Sequence, residues 1–138
     1  MESVALSFPV NTALFAGILG LMKVVLGLRV SAYRASKGIS LGDRNDEVMT
    51  RRIRAHANFS ENVPMALILL MLIEVLHASS PVIFALGIVL VIGRLLHWLG
   101  LAGNAEAFNR VTGMVMTWGV IAIASIMAIW LYATAVSS

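Results

Sequence analysis

Four apolar stretches, separated by short polar segments, dominate the pattern of hydrophobic and polar positions along the chain. Each approaches the roughly 20 residues that a helix needs to cross a hydrocarbon core of about 30 Å. A chain in lipid must satisfy its own backbone hydrogen bonds, which favours helices over isolated strands. The sequence therefore predicts an all-α fold, an integral membrane four-helix bundle in one domain over residues 1–138, with helices at about 8–34, 46–77, 82–101 and 109–134.

Three polar segments connect these helices. Residues 35–50 are rich in Gly, Ser, Asp and Asn, which predicts a loop, and residues 77–81 and 103–106 predict tight turns. The tight turn at 77–81 makes helices two and three antiparallel neighbours.

The second helix begins with polar sequence. Its apolar run, residues 63–73, is too short to span alone, so the helix must carry Asn58 and Glu61 into the membrane. At 100° per residue, Arg54, Asn58 and Glu61 fall within an arc of about 60° and share one face. Ionisable residues inside a membrane almost always face a protein interior or a wet cavity. This face is therefore the first candidate for a functional site.

Two other residues of the second helix carry structural expectations. Pro64 removes a backbone donor inside the helix, which favours a bend beside Glu61. Glu74 lies near the opposite end, about 150° around the helix from the charged face, and is expected to be an interfacial residue.

Composition supports the membrane assignment and narrows the chemistry. The chain is 59% apolar and 12% charged, with a mean hydropathy of +0.91, well beyond the globular balance. It contains no cysteine, so any thiol chemistry must use a thiol brought by the substrate. Its three histidines are isolated, which gives no expectation of a metal site, and no nucleic-acid motif is present.

Basic residues are distributed unevenly. All ten Lys and Arg lie within residues 23–54 or at Arg94 and Arg110. By the positive-inside rule, loop 35–50 is expected to be cytoplasmic and both termini outside, and the amino terminus lacks the basic region of a cleaved signal. Topology and anionic headgroups explain the basic loop without a nucleic-acid partner. A bacterial inner membrane is the expected location.

Polar side chains of all four predicted helices gather at the cytoplasmic end. Arg94 and His97 share a face of helix three, and Arg110 opens helix four, where a cation opposes the macrodipole unless an anion is bound. Guanidinium groups donate hydrogen bonds to carboxylates, and a carboxylate accepts hydrogen bonds from an ammonium. A short acidic peptide, which has both groups, is therefore a suitable ligand. The predicted set at this depth is Arg34, Arg54, Asn58, Glu61, Arg94, His97 and Arg110.

One segment carries a resemblance to a known family. Residues 54–64, Arg-Ala-His-Ala-Asn-Phe-Ser-Glu-Asn-Val-Pro, resemble the R-A-x-x-N-x-x-E-x-x-P signature of the MAPEG family, the membrane-associated proteins in eicosanoid and glutathione metabolism. The resemblance covers all four helices in order. The arrangement is similar to that of the microsomal glutathione transferases. Outside the signature it involves Tyr33-Arg34, Gly93-Arg94-x-x-His97 and Asn109-Arg110.

The resemblance implies a homotrimer of four-helix protomers in the lipid bilayer, with glutathione as co-substrate between neighbouring protomers. It implies a transferase, or a related peroxidase, that activates the glutathione thiolate against a lipophilic electrophilic second substrate. Arg110 resembles the arginine that stabilises the thiolate. The implied glutathione-binding residues are Arg34, Arg54, His56, Asn58, Glu61, Arg94 and His97.

Two positions depart from the leukotriene-forming members of that family. His97 and Leu101 stand where those members have tyrosines, which favours a general detoxifying or bacterial-type member. His97 has the alternative of a structural hydrogen-bonding role, and His56, about 160° from Asn58, has that of a solvent-facing or helix-contact residue.

Other functions remain open at this point. Four spans with one intramembrane glutamate also describe a small proton-coupled multidrug transporter, although the neighbouring arginines would repel cationic drugs. A non-catalytic membrane protein that binds glutathione or lipid is a further alternative. Arg54, Asn58 and Glu61 would then serve as an internal salt-bridged brace.

Overall fold

The computed structural model describes residues 8–102 and 107–137, and these ranges form four helices without a strand. The helices are α1 Val10–Lys37, α2 Glu47–Val75, α3 Ser80–Ala102 and α4 Ala107–Ser137. By length and composition, all four can cross a membrane. The predicted all-α membrane bundle is confirmed, whereas the predicted turn at 103–106 lies outside the described residues.

The connection between α1 and α2 is shorter than the predicted loop 35–50, because α1 extends three residues beyond its predicted end and α2 begins at Glu47, within one residue of its predicted start. α1 continues to Lys37, and Gly38 adopts a left-handed conformation with φ of 62°. The amides of Gly38 and Ile39 then bond the carbonyls of Ala35 and Arg34, the pattern of a Schellman motif. α2 begins after Asp46, whose side chain accepts from the Met49 amide at 2.8 Å. The loop is thus confined to residues 38–46.

Glycines bring α3 and α4 unusually close together. A Cβ atom added at Gly113 would lie 2.4 Å from the Gly93 carbonyl oxygen and 2.5 Å from the His97 amide nitrogen. One added at Gly100 would lie 2.6 Å from the Arg110 amide nitrogen. Gly93, His97 and Gly100 share one helix face by their i, i+4, i+7 spacing. This approach fixes the start of α4 against the end of α3 and so positions Arg110.

The apolar core lies between the helices and extends over most of their length. Leu19, Leu70, Ile73 and Leu90 are completely buried, and Phe59 is nearly so. Since lipid is as apolar as these side chains, packing and interhelical polar contacts hold the helices together.

Glu74 has a structural role that the sequence did not predict. It lies at the end of α2, as expected, but it is only 5% exposed because it is packed against the start of α1. Its Oε1 accepts from the backbone N and Nδ2 of Asn11 at 2.9 and 2.8 Å, and its Oε2 from the backbone N and Oγ1 of Thr12 at 2.8 and 2.6 Å. Pro9, at the N-cap of α1, provides no side-chain hydrogen bond. Glu74 therefore caps α1 from the end of α2, where a carboxylate also complements the helix dipole.

Candidate functional site

A cavity of about 190 Å³ opens between α2, α3 and α4 near the loop end of the bundle. Arg54 and Asn58 line it from α2, His97 and Leu101 from α3, and Arg110 from α4. Four of the eight residues predicted from sequence thus meet around one space. No carboxylate of the described residues lines this cavity. Its chemistry suits an anion that also accepts hydrogen bonds.

Arg94 lies behind the cavity rather than in it. The side chain is 1% exposed, and its Nη1 donates to Asn58 Oδ1 at 2.7 Å. Its Nη2 contacts the sulfur of Met114 at 3.7 Å, while its Nε has no partner within the described chain. A buried guanidinium without a carboxylate partner is costly. The hydrogen bond from Arg94 Nη1 fixes the orientation of the Asn58 side-chain amide.

The orientation of Asn58 follows from that hydrogen bond. Because Arg94 occupies the amide oxygen, the donor Nδ2 of Asn58 is left without a described partner. The backbone carbonyl of Asn58 accepts from Asn62 Nδ2 at 2.9 Å, and Asn62 Oδ1 in turn accepts from Trp118 Nε1 at 3.1 Å. These contacts join α2 to α3 and α4 at the depth of the cavity. Asn62 and Trp118 were not predicted as part of this network, because no sequence signal pairs residues 56 positions apart.

Arg54 and Glu61 are exposed on the outer face of α2. Within residues 8–102 and 107–137, an ion pair shorter than 4 Å joins Arg51 to Glu47, at 2.7 Å, and it includes neither Arg54 nor Glu61. Every Lys and Arg of the chain falls within the described ranges, so Glu61 has no Lys or Arg partner within that distance. The structure therefore does not contain the salt-bridged brace of Arg54, Asn58 and Glu61 that stood as an alternative.

Arg34 and His56 lie away from the cavity of their own chain. Arg34 Nη1 donates to the Gly42 carbonyl oxygen at 2.8 Å, beside the surface groove of the 38–46 loop. The half-buried ring of His56 faces α1, since a Cβ atom at Gly27 would lie 3.5 Å from its Nε2. Both residues are therefore on the α1 side of α2, opposite the side that carries Asn58.

The start of α2 is anchored by two aspartates of the loop. The Met49 amide, together with the Tyr33 hydroxyl at 3.1 Å, holds the pKa of Asp46 below its ordinary value. The Thr50 hydroxyl, at 2.7 Å, does the same for the pKa of Asp43. Both carboxylates therefore stay ionised to a lower pH than an ordinary aspartate does. They fix the first turn of the helix that carries Arg54 and Asn58.

Comparisons with known proteins agree with this architecture. The model of the MAPEG family matches residues 12–130. The inner membrane protein YecN of Escherichia coli strain K12 is 28% identical over 119 residues, which cover 86% of this chain and 90% of the relative. The protein of the same name from E. coli O6:H1 strain CFT073 aligns with the same identity and coverage.

Proposed function

We propose, from the premise that this chain belongs to the MAPEG family, that it is a membrane-bound glutathione transferase with glutathione-dependent peroxidase activity as a related reaction. The observation that carries the proposal is the cavity lined by Arg54, Asn58, His97 and Arg110 without an acidic residue of the described chain. Glutathione brings two carboxylates, peptide groups and an ionisable thiol, which are the groups that such a cavity can bind.

The cavity suggests a role for each side chain. The guanidinium groups of Arg54 and Arg110 can donate hydrogen bonds to a carboxylate or a thiolate, and Nδ2 of Asn58 can donate to a peptide carbonyl. Glu61, on the same face of α2 as Arg54, can accept the ligand ammonium. His97 lines the cavity wall as a packed polar residue, 5% exposed.

Arg34 and His56 require a second copy to take part. Because they lie on the α1 side of their own chain, we assign them to the ligand held by a neighbouring protomer in a homotrimer. This arrangement lets one copy provide the cavity and the next copy complete its edge.

Thiolate formation is the chemical step that Arg110 would favour. A free thiol has a pKa near 8.5, so only a few per cent is ionised at pH 7. Lowering that value by about two units takes about 2.7 kcal/mol of preferential thiolate stabilisation. At an assumed separation of about 4 Å, a guanidinium attracts a thiolate by about 4 kcal/mol at an effective dielectric constant of 20, before the cost of desolvating the two charges is subtracted. Nearby amides at the start of α4 add to it.

The second substrate would enter from the bilayer as a lipophilic electrophile. With an aryl halide, the thiolate sulfur forms a bond to the ring carbon, and the halide leaves with its electron pair. The thiol proton passes to water before this step.

The cellular location follows from the relative and from the distribution of charge. The E. coli relative is named as an inner membrane protein, which supports an inner-membrane location for this chain. The excess of Lys and Arg in and beside loop 35–50 supports placing that loop in the cytoplasm and both termini outside.

The test combines binding with product formation. Isothermal titration of the detergent-solubilised protein with glutathione should show saturable binding, and an aryl halide assay should show conjugate. Arg110→Ala should retain folding but lose the ultraviolet absorbance of bound thiolate and the product, whereas Lys37→Ala, an exposed basic control, should retain both. Absence of binding at millimolar glutathione would exclude the proposal. Binding without thiolate or product would identify a non-catalytic glutathione-binding protein.

A further inference from the structure

Lys23 is a cation in the middle of a membrane-spanning helix, outside the cavity described above. It lies thirteen residues after Val10 and fourteen before Lys37, the ends of α1. At 1.5 Å per residue, it is about 20 Å from either end. Its ammonium donates to the hydroxyl oxygen of Ser60 on α2 at 2.5 Å. No acidic residue of the described ranges lies within 4 Å of it, so its charge has no counter-ion there.

Glu61 is an anion at the same depth. It follows Ser60 directly, so the contact between Lys23 and Ser60 places the ammonium level with Glu61 along the membrane normal. Glu61 is exposed on the protomer and has no Lys or Arg within 4 Å. It precedes Val75, the end of α2, by fourteen residues, or about 21 Å. Charged groups at this depth need a protein partner or a wet cavity.

The two charges occupy neighbouring positions on the protomer surface and are more than 4 Å apart. Successive residues of a helix are rotated by 100°, so Glu61 faces about 100° away from Ser60. Ser60 faces α1 through Lys23, while Asn58 faces α3 through Arg94. Glu61 therefore lies on the outer surface of α2, next to the side that carries Asn58. Lys23 lies on the α1 side of that surface. One patch supplies a cation and the other an anion, at matching depth.

A cation and an anion that flank each other around one subunit can each meet the opposite charge of a neighbouring copy, and such a head-to-tail contact closes into a ring when the rotation permits. We propose that Lys23 of one copy forms an ion pair with Glu61 of the next copy within the membrane. This inference rests on the assembly proposed above and names the contact that holds it. The occupant of the Glu61 surface is thus a second copy of this chain. A carboxylate has two oxygens and several acceptor positions, so it can also accept from a ligand ammonium.

The absence of cysteine allows a direct test in native membranes. Lys23→Cys and Glu61→Cys are made in separate copies with different tags, coexpressed, and treated with a bifunctional thiol reagent whose length matches the combined Lys and Glu side chains, because a direct disulfide would require closer Cα atoms. A cross-linked product that carries both tags is expected. Val24→Cys paired with Glu61→Cys is the control, because Val24 is exposed one residue from Lys23 and rotated by about 100°. A yield with Lys23→Cys that is no higher than with Val24→Cys would overturn the proposal.

Charge exchange provides a second measurement that keeps both ions in the membrane. Lys23→Glu and Glu61→Lys should each reduce the fraction of assembled protein in native mass spectrometry several-fold. The double variant Lys23→Glu/Glu61→Lys should recover it. Unchanged assembly in both single variants would refute the ion pair. Glutathione titration of the wild type is scored separately, so that loss of this contact and loss of the proposed function are distinguishable.

Discussion

Replacing Arg94 with methionine tests whether a buried cation controls the candidate site through Asn58. The hydrogen bond from Nη1 to Asn58 Oδ1 is the contact that the substitution removes. Without it the side-chain amide is free to turn its oxygen toward the cavity, where it would present an acceptor to an acceptor-rich ligand. We expect glutathione affinity to fall as a result.

The magnitude follows from the contact. A hydrogen bond from a charged donor contributes about 1.5 to 3 kcal/mol, and part of that is expected as lost binding free energy. A loss of about 1.4 kcal/mol is tenfold in Kd, so we expect a weakening of about ten- to thirtyfold. The unfolding free energy of Arg94→Met should be equal to or higher than that of the wild type. The substitution removes a buried charge whose Nε has no described partner, and desolvating such a charge costs several kcal/mol.

The assay is a double-mutant cycle measured by isothermal titration with glutathione, with thermal unfolding in the same detergent. The variants are Arg94→Met, Asn58→Ala and the combination. If Arg94 acts through the amide, the double variant should bind as weakly as Asn58→Ala alone. If Arg94→Met weakens binding by the same factor in the wild type and in Asn58→Ala, Arg94 acts on the ligand through its own charge. Wild-type affinity in Arg94→Met would refute the reasoning entirely.

Three further predictions concern stability and use the unfolding midpoint in detergent. Glu74→Ala leaves four donors of α1 without their acceptor and should destabilise the fold by about 3 kcal/mol, whereas Glu47→Ala on the exposed first turn should have little effect. Gly113→Ala should cost about 1 to 3 kcal/mol by overpacking α3 against α4, whereas Gly119→Ala, with nothing within 4 Å, should be tolerated; equal midpoints would contradict the close approach. The folded-state pKa of Asp46 is lowered, so its contribution is present above its unfolded value near 3.9 and is lost as pH falls below it. Asp46→Ala should therefore flatten the decline of the midpoint between about pH 5 and pH 3, and an unchanged decline would exclude this carboxylate as its source.

Helical periodicity explains which parts of the site were predictable. Residues four and seven positions apart share a helix face whatever surrounds them, so Arg54, Asn58 and Glu61 could be grouped from sequence. The same local rule does not state which neighbour each side chain meets. Asn58 faces α3, whereas Glu61, three residues later, faces outward and has no Lys or Arg within 4 Å.

The sequence alone determined that the chain crosses a membrane as four helices, because a lipid solvent leaves an apolar segment few other ways to satisfy its backbone. Only the tertiary structure decided the rest. It buried Arg94 while leaving Arg110 at the cavity, separated Arg34 and His56 from that cavity, and joined Glu74 to an α1 start more than 60 residues away. The physical reason is that these outcomes depend on how closely two helices approach, as at Gly93 and Gly113. That approach is a joint property of two surfaces, which neither helix encodes by itself.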